Sequence, residues 1–115
     1  KVEKKVQSVC PYCGVGCQNA FGRKISESAY HHALETIKVS GHNNEVEAGS
    51  AEIQCGICRN IESGDHLIML RYILLRIGEI HGAQISFQNK PVKSSGWNGS
   101  GCHWIYCYGG ISQCM

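Results

Sequence analysis

The sequence predicts an α+β fold in which a curved antiparallel sheet is covered by two helices. Three observations carry this prediction: an apolar stripe at helical spacing around Ala29, a turn-forming Ala48-Gly49-Ser50 between two β-prone segments, and a leucine-rich stripe that begins at Leu67. At 115 residues the chain has the length of one domain and can bury a sizeable core. No internal repeat, linker or low-complexity block divides it.

Residues 1–9 are mostly polar, have no usable period and read as a leader. Gly22 to Ile37 carries Ile25, Ala29, Ala33 and Ile37 at intervals of four, with Lys24, Glu27, His31 and Glu35 off that stripe, as an amphipathic helix requires. Lys38 to Glu47 and Ala51 to Ile57 form the expected hairpin, the second strand alternating Ile53, Cys55 and Ile57 against Glu52, Gln54 and Gly56. Ser63-Gly64-Asp65 offers capping side chains for a helix whose Leu67, Leu70, Leu74 and Ile77 should face the sheet, and Gly82 supplies a stop. Ile68, Met69, Tyr72, Ile73 and Leu75 add apolar groups on its other faces, so most of its circumference calls for cover. A short strand is expected at Ala83 to Phe87, a Gly- and Ser-rich loop at Lys90 to Gly101, and a last strand at His103 to Tyr108.

Composition excludes several classes of function. Hydrophobic residues at 43% against charged residues at 17% place the chain outside the disordered class. A formal charge of +2 is too small for a nucleic-acid footprint. The longest apolar run, Leu67 to Ile77, is broken by Arg71 and Arg76 and is too short to span a bilayer, so no membrane partner is expected. No secretory signal is visible at Lys1 to Gln7.

Eight cysteines invite a metal reading. Cys10, Cys13 and Cys17 have the spacing of an iron–sulfur segment but no near fourth thiolate. Cys10-x-x-Cys13 and Cys55-x-x-Cys58 together would make a small zinc-binding interaction module, although the gap between the two pairs is about twice that of a zinc ribbon. A second candidate is a carboxylate pair. A turn centred between Ala48 and Gly49 would set Glu45 opposite Glu52 on one sheet face, and like charges so placed need a neutralising partner such as a divalent cation. A third is Asn98-Gly99-Ser100-Gly101-Cys102-His103, where glycines let backbone approach a ligand beside an imidazole.

Read together, these segments resemble the eukaryotic type of glutamine synthetase. Lys90-Pro91-Val92, then Asn98-Gly99-Ser100-Gly101-Cys102-His103 and the residue at Cys107, resemble that family's ATP-region motif, with Cys107 in place of its Ser. Tyr12-Cys13-Gly14-Val15-Gly16, Ala20-Phe21-Gly22-Arg23, Asn43-Asn44-Glu45-Val46, Glu52-Ile53-Gln54, and Gly64-Asp65-His66-Leu67 through Arg71 to Arg76 follow in the family's order. The resemblance identifies residues 10–108 as a partial catalytic domain and leaves 1–9 and 109–115 unmatched.

The resemblance implies ATP-dependent ligation of glutamate and ammonia through a γ-glutamyl phosphate, with Mg²⁺ or Mn²⁺ as cofactor. It implies that Glu45 and Glu52 bind one cation and His103 the other. Along the ATP cleft it places Glu52, Ile53, Gln54, Cys55, Gly56, Ile57, Ile105, Tyr106 and Cys107, and it places Trp97, Asn98 and Gly99 at the glutamate substrate. Cytoplasmic location, free thiols and a homo-oligomer sharing its sites between subunits are implied as well. Ala51 stands where the family has Trp, the hairpin lacks the family's Pro, and one residue is lost near Thr36-Ile37. Upstream acidic ligands, downstream arginines and the flap glutamate have no counterpart here, so the chain by itself is expected to be inactive.

Overall fold

Gly22 adopts a left-handed φ of 86° and its carbonyl accepts the N–H groups of Ile25 and Ser26, which starts α1 at Arg23–Leu34 without a side-chain cap. This computed structural model describes Tyr12, Val15, residues 22–93, Gly99 and residues 101–104. After α1 come β1 at Val39–Asn44, β2 at Ala51–Cys55 and α2 at Asn60–Ile80, the α+β order that the patterning predicts.

One face of α1 is built from small residues: Ser26, Ala29 and Ala33 are all buried, the two alanines completely. That face is the expected stripe, and it lets the helix backbone approach its neighbours closely. On one side α1 packs against the hairpin, where the Tyr30 and His42 rings lie 4.8 Å apart. Towards its other neighbour it packs against α2, whose Leu70 and Ile77 are each only 4% exposed. These two, with Ala29 and Ala33, are the buried apolar residues among those described.

The leucine stripe of α2 therefore faces α1 more than the sheet, which α2 meets only beside β2. This corrects the expectation that Leu67, Leu70, Leu74 and Ile77 lie on the sheet. With α1 over the hairpin, the next layer of apolar surface open to α2 is α1 itself. The start of α2 also differs from expectation. Arg59 is the N-cap and its backbone N–H donates to Glu62 Oε2 at 3.1 Å, so Ser63, Gly64 and Asp65 lie inside the helix. Glu62 can serve because Lys38 Nζ holds its other oxygen at 2.6 Å. That pair keeps the Glu62 carboxyl below its ordinary range, with the Arg59 N–H adding to the effect.

Residues 83–87 are not a strand. Ala83 and Ile85 turn inward and their even-numbered neighbours outward, but the surface they meet is α2. Gly78 makes the crossing possible, since a Cβ there would lie 2.6 Å from Ile85 Cγ1 and 2.9 Å from the Ala83 carbonyl. The Arg71 guanidinium caps the segment 5.2 Å from the Phe87 ring centre. Residues 101–104 are likewise not in a strand, and 105–108 lie outside the described residues.

Two substitutions test this packing. Leu70→Ala should cost about 2–5 kcal/mol in urea unfolding, whereas Leu34→Ala, on the half-exposed end of α1, should stay within about 0.5 kcal/mol. Equal losses would place the core elsewhere. Gly78→Val should destabilise by about 1–3 kcal/mol through overpacking against Ile85, and a neutral result would mean that the 83–87 segment does not cross the helix there.

Candidate functional site

The hairpin places the acidic pair. β1 and β2 are antiparallel with His42 opposite Ile53, Asn43 opposite Glu52 and Asn44 opposite Ala51, and a bulge interrupts the ladder between Val39 and Gly41. Glu45 continues the ladder through its N–H, which donates to the Ser50 carbonyl at 3.0 Å. The turn itself runs from Glu47 to Ser50, closed by a 2.9 Å hydrogen bond, with Gly49 at a φ of 81°. Ala48-Gly49 is thus the turn centre, as expected. The register is nonetheless offset by two from a tight hairpin, because Val46 and Glu47 sit in the connection, outside the β1–β2 register. Glu45 therefore stands diagonal to Glu52, where direct opposition was expected. An offset of two preserves the face, so both carboxylates point to the side away from α1.

On that face the side chains form a chain of contacts. Gln54 Nε2 donates to Asn43 Oδ1 at 3.0 Å, and Asn43 Nδ2 donates to Glu45 Oε1 at 3.3 Å. Partial burial raises the Glu45 carboxyl above its ordinary value of 4.5, and Glu52 raises it further through a side-chain hydrogen bond and through its charge. The Val46 N–H and Asn43 act in the opposite direction. The opposite face carries Asn44, only 3% exposed, whose Nδ2 has no hydrogen-bond partner among the described residues.

His103 is exposed in the 101–104 segment and does not join the two glutamates. Among the described residues no three His, Cys, Asp or Glu side chains converge on one cation position. The resemblance sets His103 at a second cation, and the strand expected to carry its imidazole beside the hairpin is not formed at 103–104.

Of the remaining expected site residues, Glu52 is exposed, Ile53, Gln54, Cys55 and Gly56 are half-buried, and Ile57 is 72% exposed. Gly56 N–H donates to the Lys38 carbonyl at 2.8 Å and closes the end of the hairpin. Gly99 is exposed. Trp97, Asn98, Ile105, Tyr106 and Cys107 lie outside the described residues, as do Cys10 and Cys13 of the zinc alternative. Cys55, Cys58 and Cys102 are free thiols. Cys58 Sγ sits 3.1 Å from both the Gly56 carbonyl and His66 Nδ1, and burial pushes its thiol above the ordinary range. Nothing in this arrangement favours a zinc module.

Sequence reasoning missed Asn43 as the group that links Gln54 to Glu45. It also missed Lys38 as the residue that ties hairpin to helix. The first could have been found from strand parity, since 43 and 45 share a face; the second had no local signal.

The comparisons with known proteins bear on this geometry directly. Residues 3–106 match the family model of the glutamine synthetase catalytic domain. A glutamine synthetase of Gallus gallus is 46% identical over 93 residues, 80% of this chain and 25% of that protein. Glutamine synthetase cytosolic isozyme 2 of Vitis vinifera is 47% identical over 96 residues, 83% of this chain and 27% of that protein. A probable glutamine synthetase of Caenorhabditis elegans is 45% identical over 94 residues, 80% and 26% respectively. The chain spans about a quarter of the length of the curated relatives it matches. With nearly all of its length matched by the family model, and with close relatives in a bird, a plant and a nematode, this chain belongs to the glutamine synthetase family.

Proposed function

We propose that this chain carries part of the catalytic domain of an enzyme that ligates glutamate and ammonia with ATP, and that Glu45 and Glu52 hold one of its divalent cations. The observation that supports the reading is the carboxylate pair on the outer face of the hairpin. Two acids stand diagonal to each other on one face, with the Asn43 amide on Glu45, and Glu52 helps to hold the Glu45 carboxyl above its ordinary range. Such a donor set fits Mg²⁺ or Mn²⁺, which take oxygen ligands and compensate negative charge. When bound, the cation supplies neutralisation of phosphate charge during phosphoryl transfer.

The chain's own residues have simpler tasks. Asn43 orients Glu45, and Gln54 orients Asn43. Glu52, Ile53, Gln54, Cys55, Gly56 and Ile57 line the nucleotide cleft together with Ile105, Tyr106 and Cys107, while Trp97, Asn98 and Gly99 meet glutamate and His103 serves a second cation. A cytosolic setting agrees with the free thiols of Cys55, Cys58 and Cys102 and with the similarity to a cytosolic isozyme of Vitis vinifera. No described helix is long and apolar enough to cross a membrane.

Two measurements test the reading. A folded-state pKa raised above the unfolded value means that ionised Glu45 destabilises the fold above that raised pKa, and that the penalty is gone below 4.5. Without metal, Glu45→Gln should therefore be more stable than the parent at neutral pH by roughly 0.2–1 kcal/mol and equal to it in acid. Added Mn²⁺ should raise the melting temperature of the parent and leave Glu45→Gln and Glu52→Gln unmoved. A parent that ignores Mn²⁺, or variants that respond equally, would contradict the assignment. The 115-residue chain alone should show no γ-glutamyl transfer with Mn²⁺ and ADP, because two carboxylates do not complete a phosphoryl-transfer site. Activity that vanishes in Glu52→Gln would show that the chain suffices.

A further inference from the structure

Two sets of residues compete to start α2. Ser63-Gly64-Asp65 is a good local start, because serine serves as an N-cap and Asp65 would then stand in the first turn, where negative charge is favourable. The helix nevertheless begins at Asn60, behind Arg59. An arginine side chain carries only donors and cannot satisfy the N–H groups of a first turn, so this earlier start has no cap of its own. What holds it comes from elsewhere in the chain. The Arg59 N–H donates to Glu62 Oε2 at 3.1 Å, and Glu62 Oε1 lies 2.6 Å from Nζ of Lys38, the residue that precedes β1.

Inside the first turns the local preferences run against the longer helix. Ser63 Oγ donates back to the Asn60 carbonyl at 2.7 Å, a use of the hydroxyl that helix interiors do not favour. A Cβ at Gly64 would meet nothing within 4 Å, so no close packing among the described residues calls for a glycine there, and an interior glycine weakens a helix. The Lys38 and Glu62 side chains are 55% and 35% exposed, and ion pairs so exposed are weak. A weak pair decides an outcome only between nearly balanced states. A helix with two available starts is such a case.

We propose that α2 has two starts, one at Asn60 and one at Gly64 behind a Ser63 cap, and that the Lys38–Glu62 ion pair selects the first. The start of the helix then reports whether the hairpin is docked. When Lys38 withdraws, residues 60–62 leave the helix, Ser63 turns its oxygen to the N–H of Asp65 or His66, and the helix from Gly64 onward stays. The connection after β2, held at 56–59 by the N–H groups of Gly56 and Arg59, lengthens to residues 56–63. On the function proposed above this gives slack to the nucleotide segment that ends at Ile57, and only that consequence rests on that reading.

Carbon-13 chemical shifts of the full chain, recorded without metal, test the two starts. Cα shifts of Asn60 and Ile61 should be helical in the parent and in Lys38→Arg, which keeps the charge. They should move to coil values in Lys38→Met and Glu62→Ala, while Leu67 to Ile77 stay helical in every chain. Ser63→Ala supplies the second arm. In the parent it should leave the melting temperature unchanged or raise it, since alanine is the better helix former; in Lys38→Met it should lower it by about 4 °C, the loss of one cap. Parent-like shifts at Asn60 and Ile61 in both charge variants, loss of helix through Ile77, a Lys38→Arg chain that behaves as Lys38→Met, or equal effects of Ser63→Ala in both backgrounds would overturn the proposal. With no metal present, failure here leaves the Glu45 and Glu52 assignment untouched, and failure of that assignment leaves the two starts standing.

Discussion

The small-residue face of α1 is the constraint on which the rest of the described structure depends. Ala29 and Ala33 have no exposed surface, and α1 is the element that touches the hairpin on one side and α2 on the other. A larger side chain at either alanine would separate the helix from a neighbour, and the described core has few other apolar residues to take its place. The hairpin is located by the same helix: Gly22, at its start, has its Cβ position only 3.4 Å from the Cα of Gly49 in the turn. Helix start and hairpin turn thus meet through two glycines, both with a positive φ that other residues rarely adopt.

That placement determines what the hairpin can present. With His42 and Asn44 turned towards α1, the alternate residues Asn43, Glu45 and Glu52 must share the opposite face. The like-charge pair is then a consequence of strand parity, and its cost is what a neutralising partner would relieve. Lys38 secures the arrangement from the other end. Its carbonyl closes β2 and its ammonium holds Glu62, so the strand that carries Asn43 and leads into Glu45 is tied to the first turn of α2.

Much of this was legible in the sequence because it is periodic. The Ala29 and Ala33 stripe, the Ala48-Gly49 turn, the shared face of Glu45 and Glu52 and the helical character of residues 67–77 all follow from spacing alone. The errors have physical reasons. Ala83 and Ile85 alternate as a strand would, but alternation reports only that one side of an extended segment is buried, and here α2 does the burying. Ser63 and Asp65 are good capping residues, yet Glu62 and Lys38 move the helix start to Asn60 through an ion pair between distant positions. The two-residue offset of Glu45 depends on how many residues the turn consumes, which the Ala48-Gly49 dipeptide does not specify. The family was legible because the motif ending at His103 is long, whereas spacing of cysteines alone suggested zinc.

The central claim is that Glu45 and Glu52 form one coupled acidic pair built to receive a divalent cation. Carbon-detected NMR of the glutamate side chains, followed across pH with and without Mg²⁺, tests it most directly. Glu45 should titrate above 4.5, its curve should depend on Glu52, and Mg²⁺ should pull its titration to lower pH while shifting both carboxyl carbons. Two independent carboxyls that titrate near 4.5 and do not respond to Mg²⁺ would contradict it.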